Sequence, residues 1–299
     1  AWLGCYALNT PDAVTIAVTA AAMWTPAGAV WIARSMTGNG QILAHSMRPK
    51  AKGNIRWYLC AWLLPALIAM LGALLYFGIF PNTFDSSFSY LHQMLDQTPG
   101  IPDGIPISLI AIAQIVGALT YGPFINMFFA VGEEIGWRGF LFPALAERFP
   151  SQRVPNLKAH LMVGLIWGIW HTPINMMGHN YGVAYPGYPW LGIVAMCMLT
   201  FSAGVLLSWL SEKSGTIWPA ALAHGSINAA AGVPMLFLAT GNPGQGQLVG
   251  GLGVLSGNTH QIFGPGLSGL ISGIPLLVLA MVVLTVGVLG ATSPHDPTQ

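Results

Sequence analysis

Six residues on three separate segments carry the types and spacings needed to activate water. Glu133-Glu134-Ile135-Gly136-Trp137-Arg138 places three charged groups in a stretch with no other Asp, Glu, Lys or Arg from Gly104 to Ala146. Further along, Trp167 precedes His171 by four residues, and His224 precedes Asn228 by four. In hydrocarbon such groups persist only where they pair, line a wet cavity or do chemistry. A carboxylate can serve as general base, while imidazole and amide donors can stabilise a developing oxyanion.

The composition says what must position them. The chain is 54% hydrophobic and only 6% charged, against about 25% charged residues in a soluble domain. No Asp, Glu, Lys or Arg occurs from Ala159 to Ser211, nor from Ser214 to His295. So few charges cannot cover a soluble surface. The chain is read as all-α, a polytopic transmembrane helical bundle with about seven membrane segments, and as a single integral membrane domain over its whole length. A net charge of +1 says nothing about nucleic acid, the basic residues sit in short loops rather than lining a groove, and no nucleic-acid partner is expected. Cys5, Cys60 and Cys197 lie in or beside apolar segments without metal-ligand spacing, which argues against a disulfide framework or a zinc finger. The numbering opens at Ala1, part-way into an apolar run and without a signal-peptide pattern, which leaves room for a further span upstream.

A spanning helix needs about 20 mostly apolar residues. The expected spans are Asp12 to Ala33, Trp57 to Phe80, Pro106 to Leu145, His160 to Gly178, Trp190 to Leu210, Thr216 to Ala239 and Pro265 to Gly290. The third is too long for one straight crossing, and Gly122-Pro123 offers a break inside it. Basic loops (Arg34 to Arg56, Arg148 to Lys158) alternate with loops that are acidic or uncharged, and the positive-inside rule puts the basic ones in the cytoplasm. The Gly/Pro-rich stretch 241–264 reads as a flexible external loop, and 106–239 as the core. Gly164/Gly168 and Gly269/Gly273 are small-xxx-small pairs that would let helices pack closely. Counted from the cytoplasmic ends, Glu133 lies roughly 20 Å deep, His171 roughly 17 Å and His224 roughly 12 Å. Three helices thus bring polar groups to one layer.

Local spacing separates the two carboxylates. Glu134 and Arg138 are i, i+4 with the acid first, the favourable order for a pair. Glu134 therefore reads as the partner that holds Arg138. Glu133 is turned about 100° away and has no cation in its own turn, which leaves it to face water or metal. Each polar residue alone would be better explained as helix–helix glue; their joint depth is what argues for a site. The loop carrying Tyr181, Tyr185, Tyr188 and Trp190 reads as an interfacial aromatic belt, and the remaining histidines, His160 and His179 among them, as ordinary polar residues.

The segments Gly132 to Pro143 (GEEIGWRGFLFP), Trp167 to Pro173 (WGIWHTP) and Ala223 to Asn228 (AHGSIN) resemble the motifs of the CPBP family of intramembrane proteases. That family includes CAAX prenyl endopeptidases and bacterial Abi-type bacteriocin-processing or self-immunity proteins. The resemblance runs from about Gly122 to Ala230. Trp167 stands where the family more often has Phe, which reads as a shape-tolerant change. The resemblance implies that Glu133, Glu134, Arg138, His171, His224 and Asn228 form the site. It implies a peptide or lipidated peptide substrate, contact with membrane lipid, and a multi-pass protein of a bacterial cytoplasmic membrane.

The expected reaction is peptide hydrolysis, with Glu133 and His171 polarising the water and His224 with Asn228 stabilising the oxyanion. Glu133, His171 and His224 could instead hold Zn2+, a ligand set of two His and one Glu with an open position for water. The sequence leaves the metal-dependent and metal-free routes both open. Two other classes compete: a non-catalytic membrane binding or immunity protein, and a proton-coupled transporter, against which the lack of an internal repeat counts.

Overall fold

The computed structural model describes residues 12–37, 47–96, 104–150, 154, 156–239, 248–249, 254–255 and 262–291. In chain order the helices are α1 (Asp12–Ala22), α2 (Thr25–Thr37), α3 (Ile55–Ile79), α4 (Ser89–Asp96), α5 (Ile107–Leu119), α6 (Gly122–Gly136), α7 (Phe142–Arg148), α8 (Leu157–Trp170), α9 (Thr172–Asn175), α10 (Trp190–Ser214), α11 (Trp218–Ala230) and α12 (Ile274–Ala291). A π-helical turn, Trp137–Leu141, joins α6 to α7. The only strands among the described residues are two short antiparallel segments, Leu248–Val249 and Val254–Leu255. Of the expected 241–264 loop, residues 241–247, 250–253 and 256–261 lie outside the described residues, as do the opening residues with Cys5 and any upstream span.

The architecture is an all-α membrane bundle, and among the described residues three or four full crossings are found, so the expected count of seven is not confirmed. Ile55–Ile79, Trp190–Ser214 and Trp218–Phe237 are long and apolar enough to span, and Ile107–Leu119 with Gly122–Arg148, bent by 49°, adds a fourth if taken as one crossing. The bend falls at the expected Gly122-Pro123 break, where Pro123 in the first turn of α6 starts a helix but cannot continue one. Three expected spans are shorter or divided. Asp12 to Ala33 is split at Met23-Trp24, ahead of Pro26. The helix expected over His160 to Gly178 ends at Trp170, where Thr172-Pro173 opens α9. The last helix begins only at Ile274, because the glycine-rich stretch before it forms turns.

Loops at the same end of the bundle meet one another. Lys50 Nζ donates to the Gly215 carbonyl (3.2 Å), Asn54 to Ser214 (3.0 Å) and Thr216 to Arg48 (3.0 Å). At the other end, the backbone N–H of Ala239 donates to Thr83 (2.8 Å) and that of Asp85 to Phe237 (2.9 Å). The aromatic loop is a correction: Tyr181 and Tyr185 are 1% and 4% exposed and pack on Ala195, Met196 and Ile262 rather than forming a belt. Tyr181 also donates to the Ser268 carbonyl (3.0 Å), tying this loop to the segment before α12. Only Tyr188 and Trp190 stand at the surface.

Site-bearing helices approach closely because their contact faces carry glycine. A Cβ on Gly164 would sit 2.6 Å from the Phe201 Cα, and one on Gly168 2.8 Å from the Cys197 Cα. Thr200 on α10 donates to the Gly164 carbonyl at 2.7 Å, a polar bond made possible by that approach. Gly225, next to His224, lies against the backbone of Pro123 and Met127 on α6. Gly164→Ala should therefore push α8 off α10 and cost about 1–3 kcal/mol, read as a lower melting temperature in detergent. Gly28→Ala, where an added Cβ meets nothing within 4 Å, should leave the melting temperature unchanged or raise it.

Candidate active site

The π turn follows the two glutamates directly. It precedes Pro143, which has no N–H to offer the regular helical ladder and whose ring crowds the preceding turn. It carries Trp137 and Arg138, both buried, alongside Glu133 and Glu134. Arg138 Nη1 donates to Glu134 Oε1 at 3.0 Å, with both side chains fully buried, as the i, i+4 spacing anticipates. The Arg138 guanidinium also lies over the Trp167 ring, 4.5 Å from its centroid, and Gly204 leaves room beside it.

Glu134 does more than hold Arg138. Its Oε1 also meets His224 Nδ1 at 2.8 Å. An ionised carboxylate only accepts, so Nδ1 is the donor and the other ring nitrogen is left for the cavity that His224 lines. His171, at the C-terminal end of α8, lies 2.9 Å through Nδ1 from the Trp167 carbonyl. That carbonyl is likewise an acceptor only, which fixes the tautomer and leaves Nε2 with a lone pair.

Glu133 is 2% exposed and has no cation partner in its own turn, but it is not unpartnered. Its Oε2 accepts from Trp167 Nε1 at 2.7 Å and from Trp137 Nε1 at 3.1 Å. No hydrogen bond to Oε1 occurs among the described residues.

Glu133, His171, His224 and Asn228 all line one cavity of about 600 Å³. Glu134 and Arg138 stand behind that wall. The same cavity is lined by His179, which reads in the sequence as an ordinary polar residue, and by Asn126 and Asn180. Asn180 donates to Asn175 Oδ1 at 2.6 Å. Burial, and then the nearby His171, pushes the His179 imidazole down to about 4, so it stands neutral. The two indole donors were legible only in part: Trp137 is the i+4 neighbour of Glu133, and Trp167 pairs with His171 by spacing, but its bond to Glu133 on another helix is not written in any local spacing.

Glu133, His171 and His224 were also considered as zinc ligands. They share the cavity, but among the described residues no three His, Cys, Asp or Glu side chains group closely enough to hold a metal ion. The donor set does not fit Zn2+ in this arrangement.

Comparison with known proteins points the same way as the geometry. Residues 115–230 match the family described as type II CAAX prenyl endopeptidase Rce1-like. A curated relative, CAAX prenyl protease 2 of Methanococcus maripaludis, is 27% identical over 92 residues. That match covers 30% of this chain and 32% of the relative, so the chain spans about a third of the length of the protein it matches. The matched segment holds every residue of the site, and over that segment the chain is similar to the CAAX-type prenyl endopeptidases.

The buried pair predicts an asymmetry between adjacent carboxylates. Arg138→Met should strand the Glu134 charge and cost about 3–5 kcal/mol, read as melting temperature in detergent. Glu134→Gln should also destabilise, and the double variant should cost less than the two single losses added. Glu133→Gln, which leaves an oxygen for the indole donors, should melt close to the wild type.

Proposed function

We propose that the protein is an intramembrane endopeptidase that hydrolyses a peptide bond in a membrane-associated peptide or lipidated peptide. The observation that carries this reading is the joint arrangement of Glu133, His171, His224 and Asn228 on one buried, partly polar cavity. The family of the matched segment supports it. The M. maripaludis relative is named a prenyl protease, and a lipid-modified substrate is carried over from it as part of the proposal. The surrounding membrane lipid would be the second partner, and the cytoplasmic face of a bacterial membrane the side of entry.

Hydrolysis then proceeds without a metal. Water bound between Glu133 and the lone pair of His171 Nε2 gives a proton to Glu133 Oε1. Its oxygen attacks the substrate carbonyl carbon, and the carbonyl electrons move to oxygen. His224, in its doubly protonated form beside Glu134, and the Asn228 amide donate to that oxyanion. Collapse breaks the C–N bond, and the proton held on Glu133 passes to the leaving amine. Atoms and charge balance with water as the one co-reactant.

Glu133→Gln should lower cleavage of a membrane-presented peptide by about 10³-fold or more while leaving yield and melting temperature intact. Turnover in liposomes is the measurement, and retained cleavage would remove Glu133 from the reaction. A protein that captures peptide equally well with Gln at this position and never cleaves it would instead be a binding protein. Activity should also survive 1,10-phenanthroline and exhaustive dialysis. Loss under chelation, restored by zinc, would return the mechanism to the metal route.

A further inference from the structure

Trp167 contacts Glu133, Arg138, His171 and His224. Its indole N–H donates to Glu133 Oε2 at 2.7 Å. Its ring lies under Arg138 at 4.5 Å and meets the His224 ring edge-on at 5.2 Å. Its carbonyl accepts from His171 at 2.9 Å. It is 4% exposed, so none of these contacts competes with bulk water. Trp137, whose ring centroid lies 6.2 Å from that of Trp167, supplies the second N–H to the same Glu133 oxygen.

Both donors choose one oxygen. A glutamate has three rotatable side-chain bonds, and its terminal torsion is broad, so an unheld carboxylate would present either oxygen to the cavity. Two N–H groups on rigid, packed rings remove that freedom. In a site of low dielectric, hydrogen bonds to a charged acceptor are the strong ones. With Oε2 engaged twice, Oε1 is the oxygen left for water. A Phe at 167 would fill much of the same space and keep a face for Arg138, but it has no N–H to give.

We propose that Trp167 is a positioning residue: its indole N–H, together with that of Trp137, holds Glu133 Oε2 and thereby selects Oε1 as the oxygen that takes the proton from water. The inference rests on the reading of Glu133 as the base, and adds what fixes the geometry of that base in this chain. No bond is made or broken at the indole, and its proton stays on nitrogen.

The test replaces Trp167 with 3-benzothienylalanine, in which sulfur stands in place of the N–H while ring shape and aromatic face are kept. Loss of this one donor should lower kcat about 10- to 100-fold, with KM and melting temperature unchanged. Trp167→Phe should behave alike in kcat and lose some stability as well. The second readout needs no turnover. The infrared carboxyl band of Glu133, isolated by subtracting the spectrum of Glu133→Gln, should shift in the benzothienylalanine protein and shift likewise when Trp137 is replaced in the same way. An unmoved band, or a kcat equal to the wild type, overturns the proposal and leaves the hydrolase reading standing. A KM that rises while kcat holds also overturns it, since Trp167 would then bind substrate rather than hold the base. If the wild type cleaves no peptide, the hydrolase reading fails by itself, and the band alone decides whether Trp167 holds Glu133.

Discussion

Arg138 is a fully buried guanidinium in a chain that is 6% charged, and most of the site is arranged around satisfying it. A cation without water must find compensation inside the protein or it will not stay. Glu134 supplies the charge at 3.0 Å and the Trp167 face a softer contact on another side. Neither is wasted on Arg138 alone. The same Glu134 oxygen orients His224 on α11, and the same Trp167 engages Glu133 and His171. One ion pair therefore ties α6 and its π turn to α8 and α11, the elements that carry the rest of the site. Among the described residues the Arg138 Nε and Nη2 and the second Glu134 oxygen have no hydrogen-bond partner. The compensation is incomplete, and losing any one partner is correspondingly costly.

The irregular backbone serves the same end. A straight helix through 122–148 could not carry Pro143 in its interior without losing a ladder hydrogen bond. The π turn widens the helix at that point, and the Pro123 bend brings α6 against Gly225 on α11. At His171, the end of α8 frees backbone groups where a full-length span would have used them internally. The Trp167 carbonyl can then accept from the His171 ring. Polar chemistry inside an apolar bundle is helped by such interruptions, because a helix end leaves backbone groups free to pair with side chains that line a cavity.

Much of this was legible in the residues. The Glu134–Arg138 spacing gives the ion pair, the charge-free runs give the membrane class, and Gly122-Pro123 gives the bend. The four cavity-lining residues follow from depth counted along three helices. What the sequence did not yield was of two kinds. Span lengths were overestimated, since hydropathy does not distinguish an apolar helix from apolar turns such as those before Ile274. Contacts between helices were invisible: Tyr181 and Tyr185 read as surface aromatics but are core, and His179 reads as ordinary polarity but lines the cavity.

Trp167 shows why such errors have a direction. Judged by shape alone, Trp and Phe are neighbouring choices at an apolar position, and substituting one for the other looks neutral. The distinction lies in one N–H, which matters only if an acceptor is within reach and water is not. Both conditions are tertiary: the acceptor comes from α6, and the dryness from the packing of α8 on α10 through Gly164 and Gly168. In water the indole N–H would exchange one partner for another at little net gain. Buried beside a carboxylate it has no alternative, and a residue that spacing treats as filler becomes part of the polar network. Buried tryptophans within reach of a membrane carboxylate are therefore better read as donors first and as packing second.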